Sequence, residues 1–596
     1  RKPADHGFTG ESASRSSQRD QLWKKVIKIT ENHIFVIGIL LSPRYNQIIE
    51  ATVLFGRQGN AVCQRLYFVQ LSQRILIGRF DIMKKFVCRE DYPVVQTEAG
   101  KLRGYEWDGT VIFKGVKYAD AKRFMRPEKV QPWEGIKDAN SYGMVCPLMT
   151  QDRPNSELLV PHMYWPMDEN CQSLNIWTPS IDLEAKRPVM VWLHGGGFSA
   201  GSSIEHITYE GANMAKHGDV VVVSLNHRLN VLGYLDLSPF GEKYKASANA
   251  GNLDIIAALQ WVRDNIRGFG GDPDNVTIFG QSGGGAKVWT LMQMPEADGL
   301  FHKGIIESGV YWLQRDAEEQ DGREIVTAML KELGLSEDQV EELETIPYAK
   351  LAEAYLKTSP AVAAAGGYIG NMPHVGKEYL GDPVQHGFTE HAKTIPLLIG
   401  TALGEFDFGP AIPGKHSIPR EEAMQMLEKK YGEHTEELLA LYEKAYPGKS
   451  PVDLLSVDTI FRLPTIEFIK ERCRTPESVT YSYQLTYEFP LLDGKIAWHC
   501  SEIPFVFHNT ELAPLFNKEG ETDKLEEAIF GAWISFAKTG KPVIEGIDWP
   551  ACTKGDEPVM ILDVDCEIRH NVDHELVPLV EKYGKMTWMD SENIQH

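Results

Sequence analysis

Residues 276–292 carry the sequence Val-Thr-Ile-Phe-Gly-Gln-Ser-Gly-Gly-Gly-Ala-Lys-Val-Trp-Thr-Leu-Met. The first four residues form an apolar run of strand length, and a helix is predicted from about Ala286. Between them, residues 280–284 fit the pattern G-x-S-x-G, which places a serine on a strained turn between a strand and a helix. The pattern predicts that this turn exposes the hydroxyl of Ser282. By itself it also fits a plain glycine-rich loop.

Strands and helices alternate on both sides of this turn. Residues 189–193 and 220–225 are continuous apolar runs, which are typical of strands buried on both faces. A crossover helix is predicted between them at 208–217, and a second helix at 252–267. Strands separated by helices imply an α/β fold with a central, mostly parallel, twisted sheet that helices cover on both sides.

Farther along the chain, strands and helices alternate less regularly. Two helix-rich stretches, at about 321–358 and 419–473, interrupt it. They are expected to form a helical cap over the carboxyl edge of the sheet, where α/β sheets bind ligands. The remaining predicted elements are antiparallel strands at 93–103 and 111–118, strands at 396–400 and 479–487, and a helix at 524–538.

The first 82 residues differ from the rest of the chain. They hold twelve Lys and Arg against six Asp and Glu, whereas the whole chain has a net charge of −22. Residues 34–41 resemble the apolar part of a signal peptide, but no clear cleavage site follows. Residues 1–82 are therefore interpreted as a non-native extension before a start at Met83, or as a leader or accessory region. Residues 83–596 are predicted to form one α/β domain that includes the two helical insertions.

Composition and charge argue against several classes of protein. The acidic surface disfavours nucleic acid, and no apolar run is long enough to span a membrane. The eight cysteines are too sparse for a disulfide scaffold, and none has the spacing of a zinc site. We expect no metal, no cofactor and no nucleic-acid partner, and a monomer or small homo-oligomer. If Met83 is the start, a cytoplasmic location is expected; secretion is the alternative.

A second glycine motif follows the strand that ends at Leu193. Residues 194–198 are His-Gly-Gly-Gly-Phe, and consecutive glycines at a strand end allow backbone N–H groups to face a ligand. Acyl transfer needs such donors because the substrate carbonyl oxygen becomes an anion. HGGG is typical of lipases and esterases, although it also fits a tight glycine turn. The predicted oxyanion-hole donors are the N–H groups of Gly196, Gly197 and Gly283.

Several longer motifs resemble the type-B carboxylesterase and cholinesterase-like family of the α/β-hydrolase superfamily. The similarity spans most of 93–566, and within the family the bacterial carboxylesterases are most similar in appearance. The resemblance implies a serine esterase that acts on small-molecule esters. The motifs lie at 170–179, 226–235, 251–262 and 269–273.

The resemblance also implies the other two catalytic residues. The family's acid lies five residues after a strand-ending glycine, which is Gly400 here, so the acid is Glu405, with Asp407 as the second choice. The base lies in a segment like H-x-x-E-x-P-F-V-F, which identifies His499. The order Ser282, Glu405, His499 is that of α/β-hydrolases. The resemblance gives Glu502 an anchoring role and Cys500 a place in the core.

Some positions depart from the family pattern. Gln281 stands where cholinesterases have Glu, which argues against a quaternary-amine substrate, and Gly283 replaces the usual Ala. Cys146 and Cys171 match cysteines that are bonded in exported relatives, but in a cytoplasmic protein they are expected to be reduced. The main hypothesis is hydrolysis of a carboxylic ester through an acyl-enzyme. The alternatives are a catalytically silent binding homologue and a specialised esterase for feruloyl, carbamate or pyrethroid esters.

Overall fold

A computed structural model describes residues 38–41, 48–52, 85–149, 160, 162–311, 320–407, 411–491 and 494–584. Its internal contacts divide the chain into two units, Arg1–Lys84 and Lys85–His596. In the first unit, the strands Gly38–Leu41 and Ile48–Thr52 pair antiparallel. Most of the segment interpreted as an extension lies outside the described residues, so that interpretation stays a prediction.

A sheet of twelve strands runs through the second unit. Numbered along the chain, its strands are β1 Phe86–Val87, β2 Tyr105–Trp107, β3 Thr110–Lys117, β4 Ser173–Thr178, β5 Arg187–Leu193, β6 Val221–Leu225, β7 Gly271–Gln281, β8 Lys303–Glu307, β9 Leu397–Ala402, β10 Thr480–Leu485, β11 Pro558–Leu562 and β12 Glu567–His570. The strand order across the sheet is β12-β11-β10-β9-β8-β7-β5-β6-β4-β3-β2-β1.

The middle of the sheet is parallel and its two edges are antiparallel. All neighbouring strands from β6 through β5, β7, β8, β9 and β10 to β11 pair parallel. The outer pairings, including β4 with β6 and β11 with β12, are antiparallel. Because the central strands point the same way, the residues that follow β5, β7, β8 and β9 meet at one edge. This is the mostly parallel α/β sheet that the sequence predicts.

The helices cover both faces of the sheet. Alternate residues of β5 belong to different cores: Val189 and Val191 to one, Met190 and Trp192 to the other. This alternation follows from the period of two in a strand. The α-helices are α1 Ala212–Gly218, α2 Asn230–Tyr234, α3 Ala250–Asn265, α4 Gly283–Met292, α5 Arg323–Glu332, α6 Tyr348–Ala364, α7 Pro383–His386, α8 Glu390–Thr394, α9 Arg420–Tyr431, α10 Thr435–Ala445, α11 Arg462–Arg472, α12 Ile503–Val506, α13 Thr522–Thr539 and α14 Val577–Tyr583.

The first predicted strand is wrong in its extent. Instead of one strand at 93–103, the chain forms Val94–Gln96 and Lys101–Arg103, which pair antiparallel and belong to a separate sheet with Ile136–Asp138. The reason is a turn in which Thr97 donates its amide and its hydroxyl to the carbonyl of Gly100. Short strands Ala119–Asp120 with Glu128–Lys129, and Glu488–Phe489 with Lys495–Ile496, complete the described strands.

The helical stretches agree in position with the prediction but not in detail. The first contains α5, α6 and, between them, a 3-10 helix at Glu337–Glu344 that ordinary helical periodicity does not reveal. The second contains α9, α10 and α11. Helix α4 begins at Gly283, directly after the serine and three residues before the predicted start. No helix in the described part of the chain is both long and apolar enough to cross a membrane.

Candidate active site

Ser282 occupies a strained turn between β7 and α4. Its backbone angles are φ 57° and ψ −127°, a conformation that residues other than glycine rarely adopt. The strain is held by the sheet, because the Ser282 amide donates to the carbonyl oxygen of Glu307 at the end of β8 over 2.8 Å. The backbone at Ser282 therefore has the strained strand-to-helix turn that the sequence predicts.

The glycines around Ser282 allow two backbone segments to touch. A β-carbon added at Gly284 would overlap the carbonyl oxygen of Leu193. One added at Gly283 would overlap the backbone of Gly197 and lie 2.5 Å from its nitrogen. The three glycines 195–197 and the glycines at 280, 283 and 284 thus pack as bare backbone, and we call them the glycine cradle. The structure places all three predicted oxyanion donors, those of Gly196, Gly197 and Gly283, within it.

The carbonyls of the cradle determine where its N–H groups point. His194 Nδ1 lies 2.8 Å from the Gly195 carbonyl oxygen. The Gly196 carbonyl accepts from the amides of Ser199 at 3.2 Å and Ala200 at 3.0 Å. In a trans peptide the N–H points opposite to the C=O. The hydrogen bonds to these two carbonyls therefore fix the directions of the N–H groups of Gly196 and Gly197, each opposite to the carbonyl of the same peptide.

Two of the predicted catalytic residues form a short contact in the interior. His499 Nδ1 lies 2.5 Å from Glu405 Oε2, and the His499 amide donates to the Glu405 carbonyl oxygen at 2.6 Å. The other carboxylate oxygen of Glu405 accepts from the Ser308 hydroxyl and from the Ala402 amide, each at 2.7 Å. These donors orient the carboxylate toward the imidazole. Glu405 follows β9, so it lies at the same edge of the sheet as Ser282.

Burial sets the proton affinities of this pair. Exclusion of water raises the pKa of Glu405 to about 8, although the hydrogen bonds from Ser308 and Ala402 act in the opposite direction. The same desolvation lowers the pKa of His499 to about 3. Both shifts disfavour a lone charge. An imidazolium at His499 is therefore stable only with an ionised Glu405 beside it, which makes the pair a unit.

Gln281 connects this pair to the cradle. Its amide nitrogen lies 3.2 Å from His499 Nδ1 and 3.5 Å from His499 Nε2. Its amide oxygen accepts from the thiol of Cys500 at 3.1 Å. Because Gln281 immediately precedes Ser282, these contacts place the imidazole beside the serine turn. Where a Glu would add a negative charge to this contact, Gln281 keeps it neutral.

Aromatic side chains pack against His499 on the side facing α11. The ring of Phe461 stacks on the imidazole at 4.8 Å between centroids, and the ring of Phe406 lies at 4.8 Å as well. Tyr311 meets Phe461 edge to face at 5.8 Å. We call Tyr311, Phe406 and Phe461 the aromatic wall. The buried Asp458 fixes Phe461 by accepting its backbone amide at 2.9 Å.

Asp407, the second choice for the catalytic acid, is paired with a lysine. Asp407 forms an ion pair with the buried Lys495, with 2.8 Å between Asp407 Oδ2 and Lys495 Nζ. Other histidines also have structural partners: His227 Nδ1 lies 2.9 Å from the Arg228 carbonyl oxygen, and His302 Nδ1 accepts from the Val276 amide at 3.1 Å. His508 lies 3.4 Å from the carboxylate of Glu526. These partners give each of the three histidines a structural role.

Ser308, Asp458 and Phe461 were missing from the predicted site. Ser308 follows β8, the neighbour of β7, so a search of strand ends beside the serine strand could have found it. Asp458 and Phe461 lie in a helical stretch, where the sequence carries no comparable signal. In the described part of the chain, no group of three or more His, Cys, Asp and Glu side chains is arranged to hold a metal ion.

The chain is similar in sequence to several known proteins. A model of the carboxylesterase family matches residues 91–577. The chain is 34% identical to para-nitrobenzyl esterase of Bacillus subtilis (strain 168), covering 81% of this chain and 97% of that protein. It is 31% identical to phenmedipham hydrolase of Pseudarthrobacter oxydans, covering 79% of this chain and 95% of that protein.

Solved structures show the same similarity. An esterase from anaerobic Clostridium hathewayi that can hydrolyze aliphatic aromatic polyesters superimposes with a TM-score of 0.81 at 56% sequence identity, covering 84% of this chain and 100% of that one. A thermophilic PNB esterase superimposes with a TM-score of 0.65 at 32% identity, covering 82% of this chain and 99% of that one.

Proposed function

The chain belongs to the carboxylesterase family and hydrolyses carboxylic esters, and we propose that Ser282, His499 and Glu405 are its catalytic triad. The family and the α/β-hydrolase fold are those predicted from the sequence. The observation that carries the residue assignment is the 2.5 Å contact between His499 and Glu405, with the imidazole also in contact with Gln281, the residue that precedes the strained serine. No comparison supports the alternative of a catalytically silent binding protein.

In the proposed reaction, the Ser282 hydroxyl attacks the ester carbonyl while His499 Nε2 takes its proton. The tetrahedral intermediate collapses when His499 returns that proton to the leaving alcohol, which leaves an acyl-serine. Water then repeats the sequence and releases the acid. Glu405 holds Nδ1 protonated and so keeps Nε2 free to accept. It also stabilises the imidazolium, which the dry surroundings of His499 would otherwise oppose.

The negative charge of each tetrahedral intermediate forms on the former carbonyl oxygen. We assign its stabilisation to the N–H groups of Gly196, Gly197 and Gly283. Gly283 is the first residue of α4, so the partial positive charge of the helix N-terminus adds to its donor. Such donors contribute most in a site from which water is excluded, and each typically accounts for about 10²–10³-fold in rate.

Esters with an aromatic ring are the proposed substrate class. Two rings of the aromatic wall, those of Phe406 and Phe461, contact His499, and Phe406 remains 37% exposed, so a substrate ring can pack against it. A neutral substrate fits the uncharged Gln281. The relatives' names agree with this class, because one is an esterase of para-nitrobenzyl esters and another can hydrolyze aliphatic aromatic polyesters. Such polyesters are therefore a second candidate substrate.

The triad assignment is tested with Ser282→Ala and His499→Ala. Each is expected to lower kcat for a p-nitrophenyl ester by about 10⁴–10⁶-fold. A serine-directed organophosphate should label the native protein once, at Ser282, and the Ser282→Ala protein not at all. His302→Ala serves as the control histidine and should retain nearly full activity. Turnover by the Ser282→Ala protein within tenfold of the native rate would contradict the assignment.

A further inference from the structure

Lys287 is a fully buried lysine one turn into α4. Its side chain is enclosed completely, on a helix whose other residues are glycine, apolar residues and one threonine. Burying an amine without a counter-charge is costly. Among the described residues no carboxylate forms an ion pair with it, and desolvation lowers its pKa to about 7. A residue kept in such a position calls for a role other than packing.

The amine of Lys287 reaches the oxyanion loop, residues 194–198. Its Nζ donates to the carbonyl oxygen of Gly197 at 2.7 Å and to that of His194 at 3.0 Å. The stem passes the ring of Phe198, with 5.5 Å from Nζ to the ring centroid. The contacts therefore tie the beginning and the end of the glycine run to α4.

These two bonds complete a continuous set. The carbonyls of Gly195 and Gly196 are held by His194 Nδ1 and by the amides that follow the glycines. With Lys287 on the carbonyls of His194 and Gly197, all four consecutive carbonyls from 194 to 197 have a partner. Gly196 and Gly197 adopt φ values of 82° and 59°, and a glycine run of this kind has many other conformations available. Among the described residues, only Lys287 ties this run by side-chain hydrogen bonds to α4, the helix that begins with Gly283 directly after Ser282.

We propose that Lys287 is a positioning residue for the oxyanion hole, which fixes the N–H groups of Gly196 and Gly197 relative to that of Gly283. The inference rests on the proposed function, because it presupposes that these three groups bind the oxyanion. The physical argument is that one helix, which begins directly after the nucleophile, carries both the third donor and the amine that anchors the other two. Anchoring them before the substrate arrives avoids reorganisation during the reaction.

The amine can serve in either protonation state. A neutral amine has two N–H groups, and two carbonyls accept from it. The titratable groups that face it are the imidazoles of His194 and His227, which stack at 5.1 Å. Burial and the nearby Lys287 lower the pKa of His194 to about 3 and hold that of His227 well below its usual range. Both imidazoles are therefore neutral near pH 7, and His194 Nδ1 can donate to Gly195.

The test substitutes Lys287→Met, which keeps the length and apolar bulk of the stem and removes its donors. Lys303→Met is the matched control, because Lys303 is also buried with a lowered pKa but lies at the start of β8, away from the cradle. Activity is expressed per site labelled by the organophosphate, so that unfolded protein does not count. For Lys287→Met we expect kcat to fall by about 10- to 100-fold with little change in KM. The Ki of a trifluoromethyl ketone, whose adduct with serine carries an oxyanion, should rise by a similar factor.

The outcomes separate this inference from the proposed function. If Ser282 is labelled in all variants and Lys287→Met changes kcat by less than threefold, the positioning role is wrong and the triad stands. A fall in kcat together with a rise in KM, with the Ki unchanged, would also overturn it. Such a result would mean that the substitution disturbs the whole site and does not specifically weaken binding of the oxyanion. If the native protein is not labelled at Ser282, the proposed function itself fails. Should Lys287→Met not fold, Lys287→Gln, which is too short to reach both carbonyls, carries the same expectations.

Discussion

The two halves of the proposed site are built in different ways. The glycine cradle consists of backbone, in which close approach of bare glycines positions N–H groups and the side chains add only anchors. The pocket of His499 consists of side chains from distant segments. Glu405 and Phe461 contact the imidazole, and Ser308 and Asp458 hold these two residues in turn by hydrogen bonds. The cradle should therefore tolerate no added atoms, whereas the pocket should depend on particular functional groups.

The largest expected effect concerns the functional groups of the pocket. Glu405→Gln keeps the shape of the side chain, but the amide cannot ionise beside the imidazolium and can donate toward Nδ1. The imidazole then loses its orientation and the partner that stabilises its charged form, so kcat should fall by about 10³–10⁴-fold. The measurement is steady-state hydrolysis of a p-nitrophenyl ester.

Asp407→Asn is the control for this prediction. Asp407 is two residues away but is paired with Lys495, so its amide variant should retain kcat within about threefold, since an ion pair away from the reacting atoms contributes chiefly to stability. The reverse result, with a silent Glu405→Gln and an inactive Asp407→Asn, would show that the acid was assigned to the wrong carboxylate.

The same contrast explains what the sequence predicts well. The turn at Ser282 and the glycines after Leu193 are local patterns. A strand, a sharp turn and closely packed backbone each require particular residue types at neighbouring positions, so the sequence reveals them. The α/β class with a mostly parallel sheet also follows from apolar strand-length runs that alternate with helical patterns. Glu405 and His499 carry no such local signal, and they were identified by resemblance to a family.

Contacts that depend on the folded chain were not predicted. Phe461 reaches His499 only because Asp458 holds the start of α11, and neither position has a periodicity that indicates it. The 3-10 helix at Glu337–Glu344 and the turn at Thr97–Gly100 were missed because side-chain and short-range hydrogen bonds override the apolar pattern there. Lys287 could have been noticed as the single charge in the apolar residues after the turn at Ser282, but its partners are visible only in the structure.

A smaller effect is expected from one methyl group in the cradle. Gly284→Ala places a β-carbon on the carbonyl oxygen of Leu193, so β5 or α4 must shift, at a cost of about 1–3 kcal/mol in the free energy of unfolding. Gly531→Ala is the matched control, because Gly531 lies inside α13 with open space around its α-carbon. It should raise stability by up to about 1 kcal/mol through its helix propensity.

Thermal unfolding followed by circular dichroism checks this pair. The midpoint should fall for Gly284→Ala and stay level or rise for Gly531→Ala. A Gly284→Ala protein as stable and as active as the native one would mean that the cradle has room for side chains. The contrast between a backbone-built and a side-chain-built half would then not hold.

The smallest expected effect concerns the aromatic wall, which borders the pocket but does not take part in proton transfer. Phe406→Ala removes a half-exposed ring beside His499, and an aromatic pair contributes about 0.5–1.5 kcal/mol beyond its buried area. The ratio of kcat/KM for p-nitrobenzyl acetate to that for ethyl acetate should therefore fall by about two- to tenfold, while kcat for ethyl acetate changes little. Phe86→Ala, which removes an exposed ring on β1, should leave the ratio unchanged. If Phe406→Ala lowers kcat/KM equally for both substrates, the ring supports His499 instead of binding substrate, and Phe406 belongs with the functional groups of the pocket.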